Sequence, residues 1–406
     1  MGVVLLIMRV LIVNERCGSG STGKICVGIA NALKANGHDV YIAYGVGTTV
    51  FENSYKITNS LEVVFHKIFS RIFDGQGLLS LIGTIRLIKY IKQLRPDVVN
   101  LHNLHGSYVN YPLLFKALEK TNSKVVWTLH DCWSFTGHCA HFYDCEKWKC
   151  QCNNCPYLSE YPKSYFIDRS KANFNRKKRL YTQLGNKITI VPVSRWLGSL
   201  VQESFFKDTH IEVIQNGIDT GIFKIIDKPS FKEKYELKGK FVLLGVASPW
   251  SQYKGLGDFF ALRKMLSDRY VIVLVGLSEE QQKTMPPGII GIGRTDSVDE
   301  LVDIYNSADL FLNPTYQDTF PTVNLEAMAC GTPVITYRTG GSPEAITEET
   351  GMVVPQGDVN AIYEAVISFE LTKNNLKSNI CRDNVLSHYE KGKQYKKYVN
   401  LFESLV

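Results

Sequence analysis

Two carboxylates with seven residues between them, Asp318 and Glu326, stand in the stretch of this chain best suited to chemistry, DLFLNPTYQDTFPTVNLEAMACGTPVITYRTGGSPE at residues 309–344. Its pattern predicts a strand over 309–313, a polar loop, a helix beginning near Thr322, a strand over 333–337 and a Gly-Gly turn. With Pro321 as the first helical residue, the helix N-terminus opens where the loop ends. Free backbone N–H groups and a positive dipole end then meet two acids. That combination suits a ligand with an anionic part and a hydroxyl-rich part, such as a sugar nucleotide. An ordinary strand–loop–helix with surface acids fits this stretch equally well.

Other reactive residues sit at the ends of apolar runs. Residues 96–102 (PDVVNLH) and 124–130 (KVVWTLH) read as buried strands, each ending in a polar cluster where open α/β sheets bind ligands. His130-Asp131 is the sharper of the two, since a histidine there can hydrogen-bond a substrate hydroxyl or stabilise charge, although a core histidine is always the competing account. Near the start, Gly18 to Gly23 fits G-x-G-x-x-G, and Gly18 to Lys24 nearly fits a P-loop. The P-loop fails because Ile25 stands where a hydroxyl must bind magnesium. NAD is disfavoured because Gly45-Val46-Gly47 replaces the ribose-binding acid. Glycines facing an anion at a helix start survive both tests.

Six of the ten cysteines fall within residues 132–155. With no secretion signal, a disulfide framework is disfavoured. Thiolates take zinc tetrahedrally, and Cys152 and Cys155 have the two-residue knuckle spacing. Cys139 and Cys145 complete a four-thiolate structural site, with His138 and His141 as rival ligands. Reduced or regulatory thiols are the alternative, and no open position points to a catalytic zinc.

The elements that must position these residues follow from length and pattern. At 406 residues two domains are expected. The apolar content of 45% and charged content of 21% are those of a soluble globular protein. The formal charge is +7, and residues 163–187 alone carry eight basic residues and one acid. The basic surface is therefore local: a solvated helix face, or a patch for nucleic acid, acidic substrate or anionic lipid. The opening GVVLLIMRVLIVNE has no basic leader and is interrupted by Arg9, so residues 8–14 read as a buried first strand. Leu6 stands where myristoylation wants a hydroxyl. No apolar run reaches about 18 residues, so a cytoplasmic chain without a membrane span is expected.

Strand, Gly-rich turn, helix and strand open an α/β fold. Leu61, Val64, Phe65, Ile68, Phe69, Ile72 and Phe73 share one helical stripe, with His66, Lys67 and Arg71 off it. A second such helix spans 78–94. Core packing is the expectation for both, and an interfacial face the alternative. Ser194 caps a helix after the strand at 188–193, residues 211–214 form a short strand, and Asn216-Gly217 opens a turn. Alternation then restarts, and an amphipathic helix runs over 384–406. The boundaries are an N-terminal domain at 1–215 with a Cys-rich insertion at 132–155, a C-terminal domain at 216–385, and a final helix at 386–406 packing back on the first domain.

Several motifs together resemble the GT-B glycosyltransferases of the large retaining family four, the group 1 set. They are Asn103-Leu-His-Gly106, HDCWSFTGHC at 130–139 with the downstream cysteines, Trp250 to Gly255, and DTFPTVNLEAMACGTPVITYRTGG at 318–341. The likeness covers nearly the whole chain and is nearest to the bacterial exopolysaccharide and O-antigen branch, with its colanic-acid-type enzymes. It implies two Rossmann-like domains facing a central cleft, a UDP- or GDP-sugar donor, and a saccharide or lipid-linked saccharide acceptor. Catalysis is expected to need no metal or other cofactor, and no Asp-x-Asp occurs anywhere.

By position, the resemblance gives Glu326 the ribose and Asp318 the transferred sugar. Thr319, Phe320, Pro321 and Thr322 lie near sugar and phosphate. Lys254 neutralises the leaving diphosphate, and His130 stands near the reacting sugar. Gly20 and Gly23 lie against diphosphate or acceptor, Asn103, His105 and Asp131 meet the acceptor, and Asn216 lies at the hinge. Two departures stand out. Asp318 is one methylene shorter than the family's glutamate, and Ser248 occupies a position where many members carry a phosphate-binding arginine. Leaving-group stabilisation then rests more on Lys254 and backbone donors, or on Arg294 or Arg338 from nearby loops. The acceptor's setting implies peripheral attachment to an anionic membrane, with no nucleic-acid partner. A sugar-nucleotide epimerase or an NAD-dependent sugar-nucleotide enzyme is the alternative, the latter lacking a Tyr-x-x-x-Lys dyad.

Overall fold

The computed structural model describes residues 7–372 and 378–406. Met1-Gly2 and Leu6, at the start of the chain, lie outside them. Two compact units emerge: residues 1–215 with Tyr395–Val406, and Asn216–Gln394.

The first unit is built on a seven-stranded sheet in the order β3-β2-β1-β4-β5-β6-β7. Its strands are β1 (Arg9–Asn14), β2 (Asp39–Tyr44), β3 (Ser54–Lys56), β4 (Val98–Leu101), β5 (Lys124–Leu129), β6 (Ile188–Pro192) and β7 (His210–Ile211). Every pairing is parallel. Parallel sheets are covered on both faces, which is why β1, β4 and β6 are apolar without alternation. β7 is shorter than the 211–214 segment that the sequence suggests. The order reverses between β1 and β4, so the loops after these strands flank a topological switch point, where open sheets bind ligands. Asn14 ends β1 fully buried, and its Nδ2 donates to Arg16 O and Thr22 Oγ1. This ties the turn to the helix Gly20–Ala35. Gly20 and Gly23, expected in a loop, are in that helix's first turn.

The second unit has six parallel strands in the order β10-β9-β8-β11-β12-β13. They are β8 (Phe241–Val246), β9 (Tyr270–Val275), β10 (Ile289–Ile292), β11 (Leu310–Asn313), β12 (Val334–Tyr337) and β13 (Gly351–Val354). Here the switch point falls between β8 and β11. The expected terminal helix is two helices, Ser378–His388 and Lys391–Leu405. The break has a cause: Ile218 N–H donates to Tyr389 O, and Ile218 O accepts from Lys391 N–H, so the chain is held as a bridge there. Tyr398, Val399, Leu401 and Phe402 of the last helix complete the first unit's core.

The apolar stripe on the helix Ser60–Phe73 overturns the core-packing expectation. Leu61 is 83% exposed and Phe65 71%, with Val64 and Ile68 also exposed, while Val63, His66 and Ser70 are the buried residues. The inward face is polar because it serves a polar loop. His66 Nε2 accepts from Gly77 N–H at 3.1 Å and Leu79 N–H at 3.4 Å, and Nδ1 pairs with Ser80 Oγ at 2.8 Å. The second helix starts at Leu81 rather than 78 and also exposes Leu81, Ile82 and Ile85. The basic run is likewise less superficial than its composition suggests. Lys177 is buried, and Lys187 donates to the carbonyls of Glu119 and Thr121.

Candidate active site

In the C-terminal unit, the loops after β8 and β11 are laced together at the switch point. Tyr316 N–H donates to Tyr253 O at 2.8 Å, and Thr315 Oγ1 donates to the same carbonyl. Gly255, at φ +74°, closes the turn after Lys254, and a Cβ there would stand 2.2 Å from Pro314 O. The approach therefore requires glycine. Lacing these loops sets Lys254 Nζ 2.7 Å from Asp318 Oδ2, the two side chains being 35% and 22% exposed. The loop after β12 supports Asp318 from behind. Gly341 N–H donates to Asp318 O at 3.0 Å, and a Cβ on Gly340 (φ +52°) would fall 1.9 Å from that oxygen.

The helix Thr322–Ala329 begins where the pattern predicts, with Pro321 not its first residue but its N-cap, in extended conformation (φ −70°, ψ 111°). Proline has no N–H, and no side chain caps this end. Asn324 N–H donates to Pro321 O at 3.3 Å, and the N–H groups of Thr322 and Val323 keep their capacity for an anion. One turn on, Glu326 Oε2 accepts from Tyr305 Oη at 2.9 Å. Tyr305 is fully buried, and burial, then the Glu326 charge, pushes its phenol well up, so it stays a donor. Buried Asn324 accepts from Asn313 Nδ2 at 2.8 Å, joining the end of β11 to the helix. Sequence reasoning missed Tyr305, Asn313 and Asn324. The signal for Tyr305 was its place on the apolar face of the helix Val298–Ser307, where a phenol needs a partner.

Ser248 is exposed beyond β8, Arg294 beyond β10 and Arg338 directly after β12. In the sheet order β12 adjoins β11, whereas β10 lies two strands from β8. Arg338 therefore starts nearer Asp318's strand than Arg294 does to Lys254's. A cavity of about 390 Å³ lined by Lys232, Phe241, Leu310 and Pro333 lies at the strands' amino ends, away from this chemistry.

In the N-terminal unit, His130 follows β5 and His102 follows β4. His102 Nδ1 is 2.9 Å from His130 Nε2, and His102 Nε2 is 2.8 Å from Asn100 Oδ1. Asn100 Nδ2 donates to Val126 O, so its Oδ1 faces His102 as an acceptor. His102 then donates from Nε2 and accepts at Nδ1, and His130 must donate from Nε2. Neutral His130 is left with its Nδ1 lone pair. Burial drives both imidazoles down, His130 to about 4, where the His105 charge lowers it further against the opposing pull of Asp131. Neutrality follows at physiological pH.

His105 Nε2 lies 2.7 Å from Asp131 Oδ2, and His105 Nδ1 lies 3.0 Å from Tyr161 Oη. Burial would raise the Asp131 carboxyl, but the His105 charge and hydrogen bond and the Trp133 N–H outweigh it and hold it at about 2. Half-buried Asn103 lends its carbonyl to Tyr108 Oη. Beside this group lies a cavity of about 300 Å³, whose lining includes Glu15, Lys67, Arg71, His105, Tyr161 and Lys163. Gly20 and Gly23 occupy the first turn of the helix after β1. Cys139, Cys145, Cys152 and Cys155 all line one small separate cavity.

Two family models match this chain: "Glycosyltransferase Family 4" over residues 23–221 and "Glycosyl transferases group 1" over residues 240–370. The chain belongs to the group 1 glycosyltransferases. Over 371 residues it is 24% identical to the putative colanic acid biosynthesis glycosyl transferase WcaC of Escherichia coli K12, covering 87% of this chain and 88% of the relative. A D-inositol 3-phosphate glycosyltransferase of Saccharomonospora viridis is 45% identical over 68 residues, 16% of each chain.

Solved structures show the fold of this glycosyltransferase. Sucrose-phosphate synthase from Thermosynechococcus elongatus superposes with a TM-score of 0.69 at 14% identity, covering 98% of this chain and 99% of that one. Anabaena Alr3699/HepE in complex with UDP-glucose gives 0.66 at 13% identity, covering 98% and 100%. The glycosyltransferase thus has the GT-B fold of two Rossmann-like units. Among its described residues no helix is long and apolar enough to cross a membrane.

Proposed function

We propose that this enzyme transfers a sugar from a UDP- or GDP-sugar to a saccharide or lipid-linked saccharide during synthesis of a bacterial surface polysaccharide. The reading includes retention at the anomeric carbon and no catalytic metal. One observation carries it: a lysine, an uncapped helix N-terminus and a tyrosine-anchored glutamate converge on the switch point of the C-terminal sheet. The names of the relatives and the UDP-glucose complex of HepE support the donor class.

The chemistry follows from the leaving group. The bond from the anomeric carbon to phosphate breaks and leaves a diphosphate with added negative charge. Lys254 and the first-turn N–H groups near Thr322 stabilise that charge as it develops, so preorganised donors do the work that a metal ion does elsewhere. In the bound state Asp318 exchanges its lysine partner for a sugar hydroxyl, while Glu326, fixed by Tyr305, takes the ribose. The acceptor hydroxyl attacks on the leaving-group face, and its proton passes to a phosphate oxygen. Neutral His130 offers Nδ1 to a sugar hydroxyl and adds no positive charge.

The acceptor reading rests on the N-terminal unit. The cavity between His105 and Lys163 combines three basic side chains with histidine and tyrosine, a lining that suits a phosphorylated saccharide. Exposed Leu61, Phe65, Ile68, Tyr165 and Phe166 belong to the same unit as Lys67, Arg71 and Lys163. Apolar residues interleaved with bases suit peripheral attachment to the inner face of an anionic membrane.

A panel of UDP- and GDP-sugars tested for protection against thermal unfolding checks the donor. A cognate ligand at a hundred times its Kd adds about 2.7 kcal/mol. Absence of protection by every nucleotide sugar overturns the donor reading. NMR of the product's anomeric proton tests retention, and turnover in chelator-treated buffer tests metal independence.

A further inference from the structure

Six cysteines crowd residues 132–155, and the transfer reaction uses none of them. All ten cysteines of the chain are free thiols. Four of the six, Cys139, Cys145, Cys152 and Cys155, line one cavity with room of about 10 Å³, the size of a single water or ion. The other two do different things: Cys132 is buried with its N–H donating to Ala140 O, and Cys150 is exposed.

We propose that Cys139, Cys145, Cys152 and Cys155 hold one structural zinc ion as four thiolates. Cys139 Sγ and Cys155 Sγ are 3.5 Å apart. A disulfide would need about 2.05 Å. Two thiolates on one tetrahedral zinc, each about 2.3 Å from the metal, stand about 3.8 Å apart. Among the described residues no group of three or more His, Cys, Asp or Glu side chains stands close enough together to hold a metal ion. Binding therefore requires Cys145 and Cys152, already on the cavity wall, to turn inward about their Cα–Cβ bonds. Four thiol protons leave to solvent as the metal enters, and the site acquires two net negative charges.

The surroundings are arranged for that charge. Gly137 N–H donates to Cys152 Sγ at 3.2 Å. Lys177, buried, donates from Nζ to the carbonyls of Trp133 and Thr136 at 2.5 and 3.1 Å. His138 also lines the cavity, with Nδ1 2.6 Å from Asp74 Oδ1. Its Nε2 is buried with no hydrogen-bond partner among the described residues. A carboxylate behind a histidine whose other nitrogen is orphaned is the arrangement that orients a zinc-ligating histidine, which makes His138 the rival to a fourth thiolate. Tetrahedral zinc takes four ligands, and the four thiols supply them, so His138, with Nδ1 on Asp74 and only a lone pair on a neutral Nε2, stays outside the coordination sphere. The metal would close the loop that carries Tyr161 into the basic cavity, since Cys132 N–H reaches Ala140 O and Ala140 N–H reaches Tyr161 O.

The test is metal analysis of the full chain purified without chelator, followed by cobalt substitution. One zinc per chain is expected, with a cobalt charge-transfer band of four-thiolate intensity. C152S and C155S lose the metal. C150S keeps it, and H138N keeps one metal with the four-thiolate spectrum. Should the serine variants fail to fold, mercurial titration of the wild type replaces them, with one zinc released as four thiols react. Absence of stoichiometric zinc together with failure to take up zinc or cobalt overturns the proposal. So does zinc retained in C152S or C155S, zinc release uncoupled from thiol modification, or a three-thiolate spectrum that changes in H138N.

Discussion

Lys254 Nζ pairs with Asp318 Oδ2 at 2.7 Å, so the charged groups of the loops after β8 and β11 neutralise each other before any ligand arrives. The pair is partly exposed, and such pairs contribute about 0–1 kcal/mol to stability. Its placement at the switch point, not its contribution to folding, makes it informative. Lys254→Ala should leave thermal unfolding nearly unchanged and lower kcat by about 10²–10³, as loss of one preorganised donor to a developing oxyanion does. A drop in melting temperature with normal turnover would assign the lysine a structural task instead.

Asp318 separates two roles that a single deletion would confuse. Asp318→Asn keeps a polar group but frees Lys254, so the nucleoside diphosphate product should bind more tightly while sugar transfer slows. Asp318→Glu restores the longer acid that is usual in this family and tests reach alone. Product inhibition and turnover measured on both variants distinguish charge from length. Wild-type behaviour of Asp318→Glu beside an impaired Asp318→Asn would show that only the carboxylate's presence matters, and equal impairment of both would show that the carboxylate must also have the aspartate's reach.

Tyr305 and Glu326 form the deeper half of the proposed donor site. A hydrogen bond to a charged group contributes about 1.5–3 kcal/mol. Tyr305→Phe should therefore weaken nucleotide binding by about ten-fold or more, with a smaller effect on kcat. Glu326→Ala should cost more, because it removes the proposed ribose partner and strands a buried phenol. Calorimetric titration with the nucleoside diphosphate checks both. Unchanged affinity in Glu326→Ala refutes the donor assignment. Arg338→Ala should affect donor binding more than Arg294→Ala, since β12 adjoins β11.

His66 gives a pH dependence of known sign. It is fully buried, and burial lowers its pKa to about 4 despite the opposing effect of nearby backbone groups. Unfolded histidine titrates near 6.5, so between about 6.5 and 4 the unfolded chain binds the extra proton. Stability is then lost as the pH falls through that window, by up to about 3 kcal/mol for a group shifted this far. Neutral His130 acts in the same direction. Urea midpoints from pH 7 to 4 should fall, and His66→Gln should flatten the slope while lowering stability throughout. A midpoint independent of pH would contradict a neutral buried His66.

Much of the architecture was legible from patterns. Unbroken apolar runs marked β1, β4, β5 and β8, and the restart of alternation after Asn216 marked a second sheet. The acid pair and Lys254 were legible as a motif, though their mutual ion pair was not, because no sequence spacing shows that two loops are laced through Tyr253 and Tyr316. Buried polar anchors such as Asn100, Asn313 and Tyr305 were missed for a related reason: each serves a carbonyl or side chain distant in the chain. The helix Ser60–Phe73 teaches most. Periodicity showed which residues share a face, but not which face meets protein. His66 turned inward because the Gly77–Ser80 loop needed hydrogen-bond partners, and the apolar stripe was left outside.

That exposed stripe yields the last prediction. Full burial of a Phe or Ile side chain contributes about 1.5–3 kcal/mol, and each base near an anionic surface about 1 kcal/mol. The double variant Phe65→Ser/Ile68→Ser should therefore reduce binding to anionic vesicles by at least about ten-fold, since burial in the interface is partial. These side chains are already in water, so stability should scarcely change. Raising the salt should weaken the wild type's attachment by screening Lys67, Arg71 and Lys163, while leaving the apolar contribution intact. Turnover on a short soluble acceptor should survive the substitutions, and turnover on a lipid-linked acceptor in vesicles should fall. Equal vesicle binding by variant and wild type at low salt would remove the membrane from this face, and loss of activity on both acceptors would tie these residues to catalysis.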